Sequence, residues 1–304
     1  MAPNDGWAYT EQVAPGCAGR SVLAHLVASY RHSSAEEWGA RLQRGEIEID
    51  GVRADPQALL RRGQTLVWHR PPWDEPEVPL HYEVLHEDEA ILALVKPSGL
   101  PTMPAGGFLN HTLLSLVRAS YPEASPLHRL GRHTSGLVLF ARTKESASLI
   151  SRAWRNREVK KQYRALGSGV AANDSFEIDA LIGHVPHHKL GMIHAFAADG
   201  RPSHTVAQVL ERRSDCTLFS VGIATGRPHQ IRIHLAFAGH PLVGDPVYGA
   251  GGVPKESPGL PGDGGFLLHA QSLRFVHPIA ETEVTVEAPP PVALLTRAEA
   301  SARI

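Results

Sequence analysis

The segment Thr225-Gly-Arg-Pro-His-Gln-Ile-Arg-Ile-His-Leu predicts a short helix that begins at its proline and ends before Gly239. Proline in the first turn and glycine just past the end are the placements that a helix favours. Ile231 and Leu235 lie four residues apart and form the apolar stripe of the helix, and Arg232 lies beside that stripe. An inward-facing arginine needs an anionic partner, because leaving it unpaired costs about 3–5 kcal/mol.

The residues around this helix predict many strands and few helices. Ala90-Ile-Leu-Ala-Leu-Val is a continuous apolar run, as expected for a strand in the middle of a sheet. Because strands outnumber helices and do not alternate with them regularly, the predicted class is α+β with a largely antiparallel sheet, not a doubly wound parallel one. Further strands are predicted over 136–141, 162–166, 204–210, 217–223, 272–276 and 282–287, and further helices over 112–119 and 145–155.

The N-terminal residues 18–70 predict a small module of two helices followed by strands. Ser34 begins the second helix, and Glu37, three residues later, completes a capping box. The run Glu46-Ile-Glu-Ile-Asp-Gly-Val alternates polar and apolar residues and turns at its Asp-Gly, and Thr65-Leu-Val-Trp is a second strand. This pattern resembles an S4-type RNA-binding module, and a generic α+β cap without an RNA role is the alternative.

Domain boundaries follow from local composition. Residues 71–80 are rich in proline and acidic residues, and proline sustains neither helix nor sheet, so a stiff linker is predicted there. The main domain is expected over 81–290, with residues 291–304 as a C-terminal tail. The Gly- and Pro-rich residues 250–265 predict a mobile surface loop.

The composition narrows the class of protein. Apolar residues make up 42% of the 304 residues, which is enough for a globular core. Lys and Arg total 30 against 31 for Asp and Glu, so any contact with a polyanion must come from local basic patches. Cys17 and Cys216 form neither a metal-ligand spacing nor a disulfide framework, which fits a reducing cytoplasm. The sequence shows no secretory signal and no apolar run of roughly eighteen residues, so we expect a cytoplasmic protein without membrane contact.

Five segments of the main domain carry the most specific patterns in the chain. They are Lys96-Pro-Ser-Gly-Leu-Pro, His128-Arg-Leu-Gly-Arg-His-Thr-Ser-Gly-Leu, Lys161-Gln-Tyr, the helix segment from Thr225 with Gly239-His-Pro-Leu-Val-Gly-Asp-Pro-Val-Tyr-Gly, and Leu268-His-Ala-Gln-Ser-Leu-Arg-Phe-Val-His-Pro. In this order they resemble the signatures of the RluA-type RNA pseudouridine synthases over about residues 81–290. The resemblance implies the pseudouridine synthase fold, a mixed sheet with flanking helices and a central cleft.

The resemblance also implies a reaction. The family isomerises uridine in RNA: the N1–C1′ bond is broken, the uracil rotates and C5 bonds to C1′, with no cofactor or metal. The target base leaves the RNA stack, and Tyr163 is expected to stack on it; a tyrosine of the sheet core is the alternative. A carboxylate beside the sugar acts as nucleophile or base, and Arg232 is its expected partner. A solvated helix arginine is the alternative for Arg232.

Basic and polar residues of the same segments are candidates for RNA contact. Arg227 precedes a helix N-terminus, where an anion is favoured. For the arginines, a solvated surface position is an equal alternative. The candidates are Arg129, Arg132, Thr134, Lys161, Arg227 and His229.

Position 131 departs from the family pattern. The resemblance places the catalytic aspartate directly after His128-Arg-Leu, where this chain has Gly131, which can act neither as nucleophile nor as base. One explanation is a carboxylate from elsewhere, with Asp245 the first to check, although Asp245 is itself part of the family pattern and is expected to hold the turn over 244–249. The other is a catalytically inactive RNA-binding protein, in which substrate phosphate neutralises Arg232.

The leading functional hypothesis is therefore an RNA pseudouridine synthase that acts as a monomer, without a small-molecule cofactor, on rRNA or alternatively tRNA. A metal-dependent hydrolase is the weakest hypothesis. His184, His187 and His188 form an H-x-x-H-H pattern in a predicted loop, without the helical spacing or cysteine partners of common zinc sites, so no metal is predicted.

Overall fold

The structure, a computed structural model, describes residues 3–302 as two compact units. The first takes in the chain up to Glu75 together with His187–Gly191, and the second takes in Pro76–Pro186 and the chain from Met192 onward. None of the helices in the described residues combines the length and the apolar character that crossing a bilayer requires.

The first unit packs two helices on a four-stranded antiparallel sheet. Its elements are β1 (Trp7–Gln12), α1 (Val22–Ser29), α2 (Ala35–Arg44), β2 (Ile47–Ile49), β3 (Val52–Arg53) and β4 (Thr65–Arg70), with the strands in the order β1-β4-β2-β3. The predicted capping box is confirmed, since Ser34 accepts from the Glu37 amide and Glu37 accepts from the Ser34 amide. The predicted turn is confirmed as well, with positive φ at Asp50 and Gly51.

The strand β1 was missed by the sequence analysis, which began this module at residue 18. It pairs along the whole of β4, from Trp7 opposite Arg70 to Gln12 opposite Thr65. Five of its six residues are exposed, so its sequence carries no alternation of buried and exposed positions that could have marked it as a strand.

The second unit is built on one large sheet. Its strands, together with those of a separate two-stranded hairpin, are β5 (Glu83–Glu87), β6 (Ile91–Lys96), β7 (Ser125–Pro126), β8 (Ser135–Ala141), β9 (Lys160–Ser168), β10 (Ser175–Ile178), β11 (Ile182–His187), β12 (Gly191–Phe196), β13 (Thr205–Arg212), β14 (Cys216–Ile223), β15 (Leu268–Val276) and β16 (Glu283–Glu287). The sheet order is β10-β13-β14-β9-β15-β8-β6-β5, with β16 on β15 and β7 on β8, and β11 and β12 form the hairpin. All pairings of the described strands in the large sheet are antiparallel except β15 with β8, which confirms the predicted α+β class.

Helices cover both faces of this sheet. They are α3 (Leu113–Ser120), α4 (Lys144–Arg155), α5 (Gln230–Phe237) and the short α6 (Arg297–Ser301). Alternate residues of β6 belong to two different hydrophobic core clusters. Leu94 packs with residues of α3 and α5, and Ala93 packs in the cluster that contains Ile150 of α4. The apolar run in β6 follows from this arrangement, because a strand with helices on both faces has no side left for water.

Three expectations need correction. The helix α5 begins at Gln230, two residues after Pro228, because His229 adopts a left-handed conformation (φ 57°) that cannot continue a helix. The tail over 291–304 is packed as far as it is described: Leu294 is fully buried, and the buried Arg164 holds Glu299 through two 2.6 Å bonds. The loop over 250–265 contributes to a cavity, as shown below.

Candidate active site

A cavity of about 150 Å³ lies in the second unit, where four chain segments meet. These are the loop over 129–134, the strand β9 at Tyr163, the chain from Gly226 into α5, and the chain over 261–268. The first three were predicted site segments. The fold therefore brings together residues as far apart in the sequence as Arg129 and Leu268.

The loop over 129–134 is held by the segment that begins at Lys96. Lys96 is fully buried, and its ammonium donates to the carbonyls of Pro97 (2.8 Å), Leu100 (2.7 Å) and Arg132 (3.0 Å). Burial lowers the pKa of Lys96 to about 7, yet these three acceptors match the three protons of the charged form. Lys96 is thus a positioning residue, and its ammonium stands behind the site loop, not in the cavity lining.

His128 ties the same loop to the sheet. Its Nε2 accepts from the Leu139 amide of β8 (3.0 Å), and its ring stacks on Trp154 at 4.7 Å. Burial, followed by the nearby charge of Lys161, lowers the pKa of His128 to about 3, so the ring is neutral at physiological pH. This hydrogen bond makes His128 a scaffolding residue of the site loop.

Gly131 lines the cavity, as does Thr134. A Cβ built at Gly131 would have Thr134 Oγ1 at 3.6 Å as its nearest neighbour, and its φ is not in the left-handed region. Gly136, five residues on, is different, because its φ is +107° and a Cβ there would lie 2.2 Å from the Ala270 carbonyl. The backbone therefore requires glycine at 136 but not at 131.

Tyr163 forms one wall of the cavity. It lies on β9 between Val221 of β14 and Ala270 of β15, and it is 9% exposed. Burial raises the pKa of Tyr163 to about 12, so the phenol is neutral. No residue of 3–302 hydrogen-bonds its hydroxyl, which leaves an aromatic ring with an unused polar edge at the cavity.

Arg232 and Asp245 form a buried bidentate ion pair. Arg232 Nε donates to Asp245 Oδ2 (2.7 Å) and Nη2 donates to Asp245 Oδ1 (2.8 Å), with the two side chains 4% and 1% exposed. Burial disfavours the Asp245 carboxylate, but the hydrogen bonds and charge of Arg232 outweigh it and hold the pKa of Asp245 below its usual range. The sequence predicted that Arg232 points inward and needs an anionic partner, and the structure identifies that partner as Asp245.

Asp245 also holds a turn. Its Oδ1 accepts from the amides of Val247 (2.8 Å) and Tyr248 (3.1 Å). Asp245 is not among the cavity-lining residues, whereas Arg232 is. Of the two roles considered for Asp245, the geometry matches the turn, and it places this carboxylate behind Arg232 instead of in the cavity.

Besides Arg232, three arginines border the cavity: Arg129, Arg132 and Arg227. Arg129 is exposed, and Arg132 Nε donates to His133 Nε2 (2.9 Å). The Nε of Arg227 is buried and finds no acceptor within residues 3–302. A buried donor without an acceptor is costly, and an anion in the cavity would relieve it.

The remaining two predicted RNA contacts have different surroundings. His229 lines the cavity but hydrogen-bonds Tyr248 Oη through Nδ1 (2.7 Å), and burial, followed by the Arg232 charge, lowers its pKa to about 3. Lys161 lies outside the cavity lining, 7% exposed, with its ammonium 5.6 Å from the centre of the Trp154 ring.

The comparisons with known proteins identify the family of this chain. The sequence profile of the RNA pseudouridylate synthase family matches residues 90–237. A protein of Synechocystis sp. named as an uncharacterized RNA pseudouridine synthase is 44% identical over 270 residues, which cover 88% of this chain and 93% of the relative. This chain belongs to the RluA-type RNA pseudouridine synthase family.

Further relatives of this synthase cover most of both chains. RNA pseudouridine synthase 5 of Arabidopsis thaliana is 36% identical and covers 97% of this chain and 96% of its own length. Ribosomal large subunit pseudouridine synthase D of Neisseria meningitidis serogroup B is 33% identical over 89% of this chain and 75% of its own. Among solved structures, human RNA pseudouridylate synthase domain containing 1 superposes with a TM-score of 0.58 at 25% identity, covering 73% of this chain and 89% of that one.

One polar residue of the synthase cavity lies outside the five signature segments of the sequence. Asp263 lines the cavity with Gly131 and Tyr163, although it lies in the stretch 250–265 that was predicted to be a surface loop. The carbonyl of Pro261, two residues earlier, accepts from Arg232 Nη1 (3.0 Å), which attaches this stretch to α5. The abundance of Gly and Pro correctly indicated irregular backbone, but it carries no information on where that backbone packs.

Proposed function

We propose that this synthase isomerises uridine to pseudouridine in structured RNA, with rRNA as the first candidate substrate and tRNA as the second. The observation that carries the proposal is one cavity that combines the buried Tyr163 ring, the Arg232–Asp245 pair and three bordering arginines. Ribosomal RNA is placed first because several relatives are named as ribosomal large subunit pseudouridine synthases.

The cavity supports a role in holding a flipped nucleotide. A uridine removed from the RNA stack needs an aromatic surface for its base and cations for its phosphates. Tyr163 offers the surface, and the Nε of Arg227 offers an unused donor. Arg129 and Arg132 supply further positive charge at the border of the cavity. This charge is local, because the net charge of the whole chain is −1.

Arg232 contributes by positioning. Its charge is neutralised by Asp245, and its third nitrogen holds the Pro261 carbonyl. The same guanidinium packs on the rings of Phe266 (4.2 Å) and Tyr248 (5.0 Å). Arg232 therefore joins α5, the 244–249 turn and the 261–266 stretch into one wall of the cavity.

The first unit is proposed to contact RNA through stacking. Tyr9 stacks on Trp68 at 5.3 Å, and the Arg41 guanidinium lies over the same indole at 4.7 Å. Tyr9 and Trp7 are 42% and 54% exposed, which leaves aromatic faces open to unpaired bases. Replacing Tyr9 with Ser is expected to weaken binding to single-stranded RNA without changing the melting temperature, as measured by filter binding and circular dichroism.

The activity is tested directly on RNA. The purified protein is incubated with total RNA from a strain in which its gene is deleted, and pseudouridine is mapped chemically. A new pseudouridine at a defined site supports the synthase, and the use of rRNA or tRNA is read from its position. RNA binding without any new pseudouridine contradicts the enzymatic proposal and leaves the RNA-binding alternative, which the names of the relatives do not favour.

A further inference from the structure

Cleavage of the N1–C1′ bond demands a group that acts on the sugar. Glycosidic bonds are broken in enzymes by carboxylates that serve as nucleophile or base. The cavity has no such group at Gly131, and Asp245 is turned toward Arg232 and two backbone amides. Among the described residues that line the cavity, Asp263 is the one carboxylate.

We propose that Asp263 is the catalytic carboxylate of this synthase, entering the cavity from the 261–266 stretch in place of a side chain at Gly131. The inference rests on the proposed function, because it assigns a residue to that reaction. It makes Asp263 a catalytic residue in a segment outside the five signature segments.

The backbone on both sides of Asp263 is anchored. On one side, the Pro261 carbonyl accepts from the buried Arg232. On the other, a Cβ added to Gly264 would lie 2.6 Å from His133 Nδ1, and one added to Gly265 would lie 2.8 Å from the Gly244 carbonyl, so both glycines pack closely. Asp263 is thus held at a defined place against the loop that contains Gly131.

The carboxylate has one fixed oxygen and one open oxygen. Oδ2 of Asp263 accepts from the Leu260 amide (2.7 Å), and the Asp263 amide in turn donates to the Leu260 carbonyl (2.9 Å). No residue within 3–302 hydrogen-bonds Oδ1. The half-buried side chain is therefore oriented by one bond and keeps a second oxygen for substrate.

The charged side chains around Asp263 at the cavity are cations. The same cavity is bordered by Arg129, Arg132 and Arg227, and Asp263 is the acidic side chain among them. Burial and the charge of Arg132 lower the pKa of the neighbouring His133, and the charge of Asp263 acts in the opposite direction. The cavity thus places one acidic side chain among several cations.

The chemistry balances without any added reagent. Oδ1 of Asp263 bonds to C1′ as the C1′–N1 bond breaks, and that bonding pair leaves with the uracil as its anion. The uracil rotates against Tyr163, C5 attacks C1′, and the C1′–O pair returns to the carboxylate. C5 then loses its proton and N1 gains one, so the product is an isomer of the substrate.

The inference is tested with Asp263→Asn, since an asparagine oxygen can still accept from the Leu260 amide. Pseudouridine formation is expected to slow by about 10²–10⁴-fold, the contribution of a positioned catalytic group. RNA affinity and melting temperature are expected to stay unchanged. Glu256→Gln is the matched control, because Glu256 is an exposed carboxylate of the same 250–265 stretch that does not line the cavity.

A second variant separates catalysis from folding. The Gly131→Asp/Asp263→Asn double variant returns a carboxylate to the cavity at a position where a Cβ fits, and activity is expected to recover in part. An Asp263→Asn protein as fast as the wild type overturns the assignment while leaving the synthase function intact. A lowered melting temperature in Asp263→Asn without recovery in the double variant also overturns it, and a wild type that modifies no RNA removes both proposals.

Discussion

Replacing Asp245 with Asn tests whether burial, and not bond length, determines how much the ion pair with Arg232 contributes to the free energy of unfolding. The carboxylate and the guanidinium are 1% and 4% exposed, and two N–H···O bonds of 2.7 and 2.8 Å join them. In the variant, the amide oxygen can keep the role of Oδ1, which accepts from Arg232 Nη2 and two backbone amides. The amide nitrogen would then face Arg232 Nε, so that two donors meet.

The expected cost follows from the charge that remains. Removing one partner of a buried pair costs about 3–5 kcal/mol, because the other charge is left buried without compensation. A typical domain has a total stability of about 5–15 kcal/mol, so this loss is a large fraction of it. We expect the melting temperature of the second unit to fall by on the order of 10 °C.

The control is the pair formed by Arg212 and Asp174. Its N···O distance is also 2.7 Å, but Asp174 is 90% exposed. Water screens such a pair, so Asp174→Asn is expected to cost less than about 1 kcal/mol. The two variants change the same chemical group at the same shortest N···O distance, and the carboxylates differ in burial and in the number of hydrogen bonds that they accept.

Hydrogen exchange of the amides of α5 is the measurement, because a chain of two units need not unfold in a single step. A loss of about 3–5 kcal/mol corresponds to exchange that is about 10²- to 10⁴-fold faster in the Asp245→Asn protein, if α5 exchanges through opening of the second unit. Equal protection of α5 in the Asp245→Asn and Asp174→Asn proteins would refute the reasoning.

Three further predictions concern the site and its supports. Tyr163→Phe keeps the ring and is expected to retain most activity, whereas Tyr163→Leu removes the stacking surface and is expected to lose about 1–3 kcal/mol of nucleotide binding, measured with RNA oligonucleotides. Lys96→Met leaves three backbone carbonyls without their donor, so both kcat and the stability of the protein are expected to fall. A Lys96→Met protein with full activity would contradict the positioning role. Glu299→Gln is expected to destabilise the protein at pH 7, because hydrogen bonds from Arg164 lower the pKa of Glu299 to about 2. This contribution to stability is fully present above the ordinary pKa of 4.5 and is lost as the pH falls toward 2. Urea unfolding should therefore show a smaller difference in stability between the variant and the wild type at pH 3 than at pH 7.

Local patterns in the sequence were enough for the elements and the family. The apolar run Ile91–Val95 predicted a strand covered on both faces, because side chains on either face of such a strand are shielded from water. Ser34 and Glu37 predicted the start of α2, because both hydrogen bonds of a capping box form within the first turn of the helix. Tyr163 and Arg232 were found by the segments that contain them, and the structure places both at one cavity.

Contacts between distant segments were decided only by the tertiary structure. Arg232 had to have an anionic partner, but its identity as Asp245 depends on how the 244–249 turn folds back against α5. Lys96 supports the loop at Arg132 only because β6 and β8 are neighbours in the sheet. Asp263 lies in a Gly- and Pro-rich stretch whose sequence has no period, so nothing local could show that this residue lines the same cavity as Gly131. The sequence by itself determined the elements and the family, because caps and apolar periods act within a turn or a strand. The packing of the chain decided which charges meet, because that depends on the topology of the whole sheet.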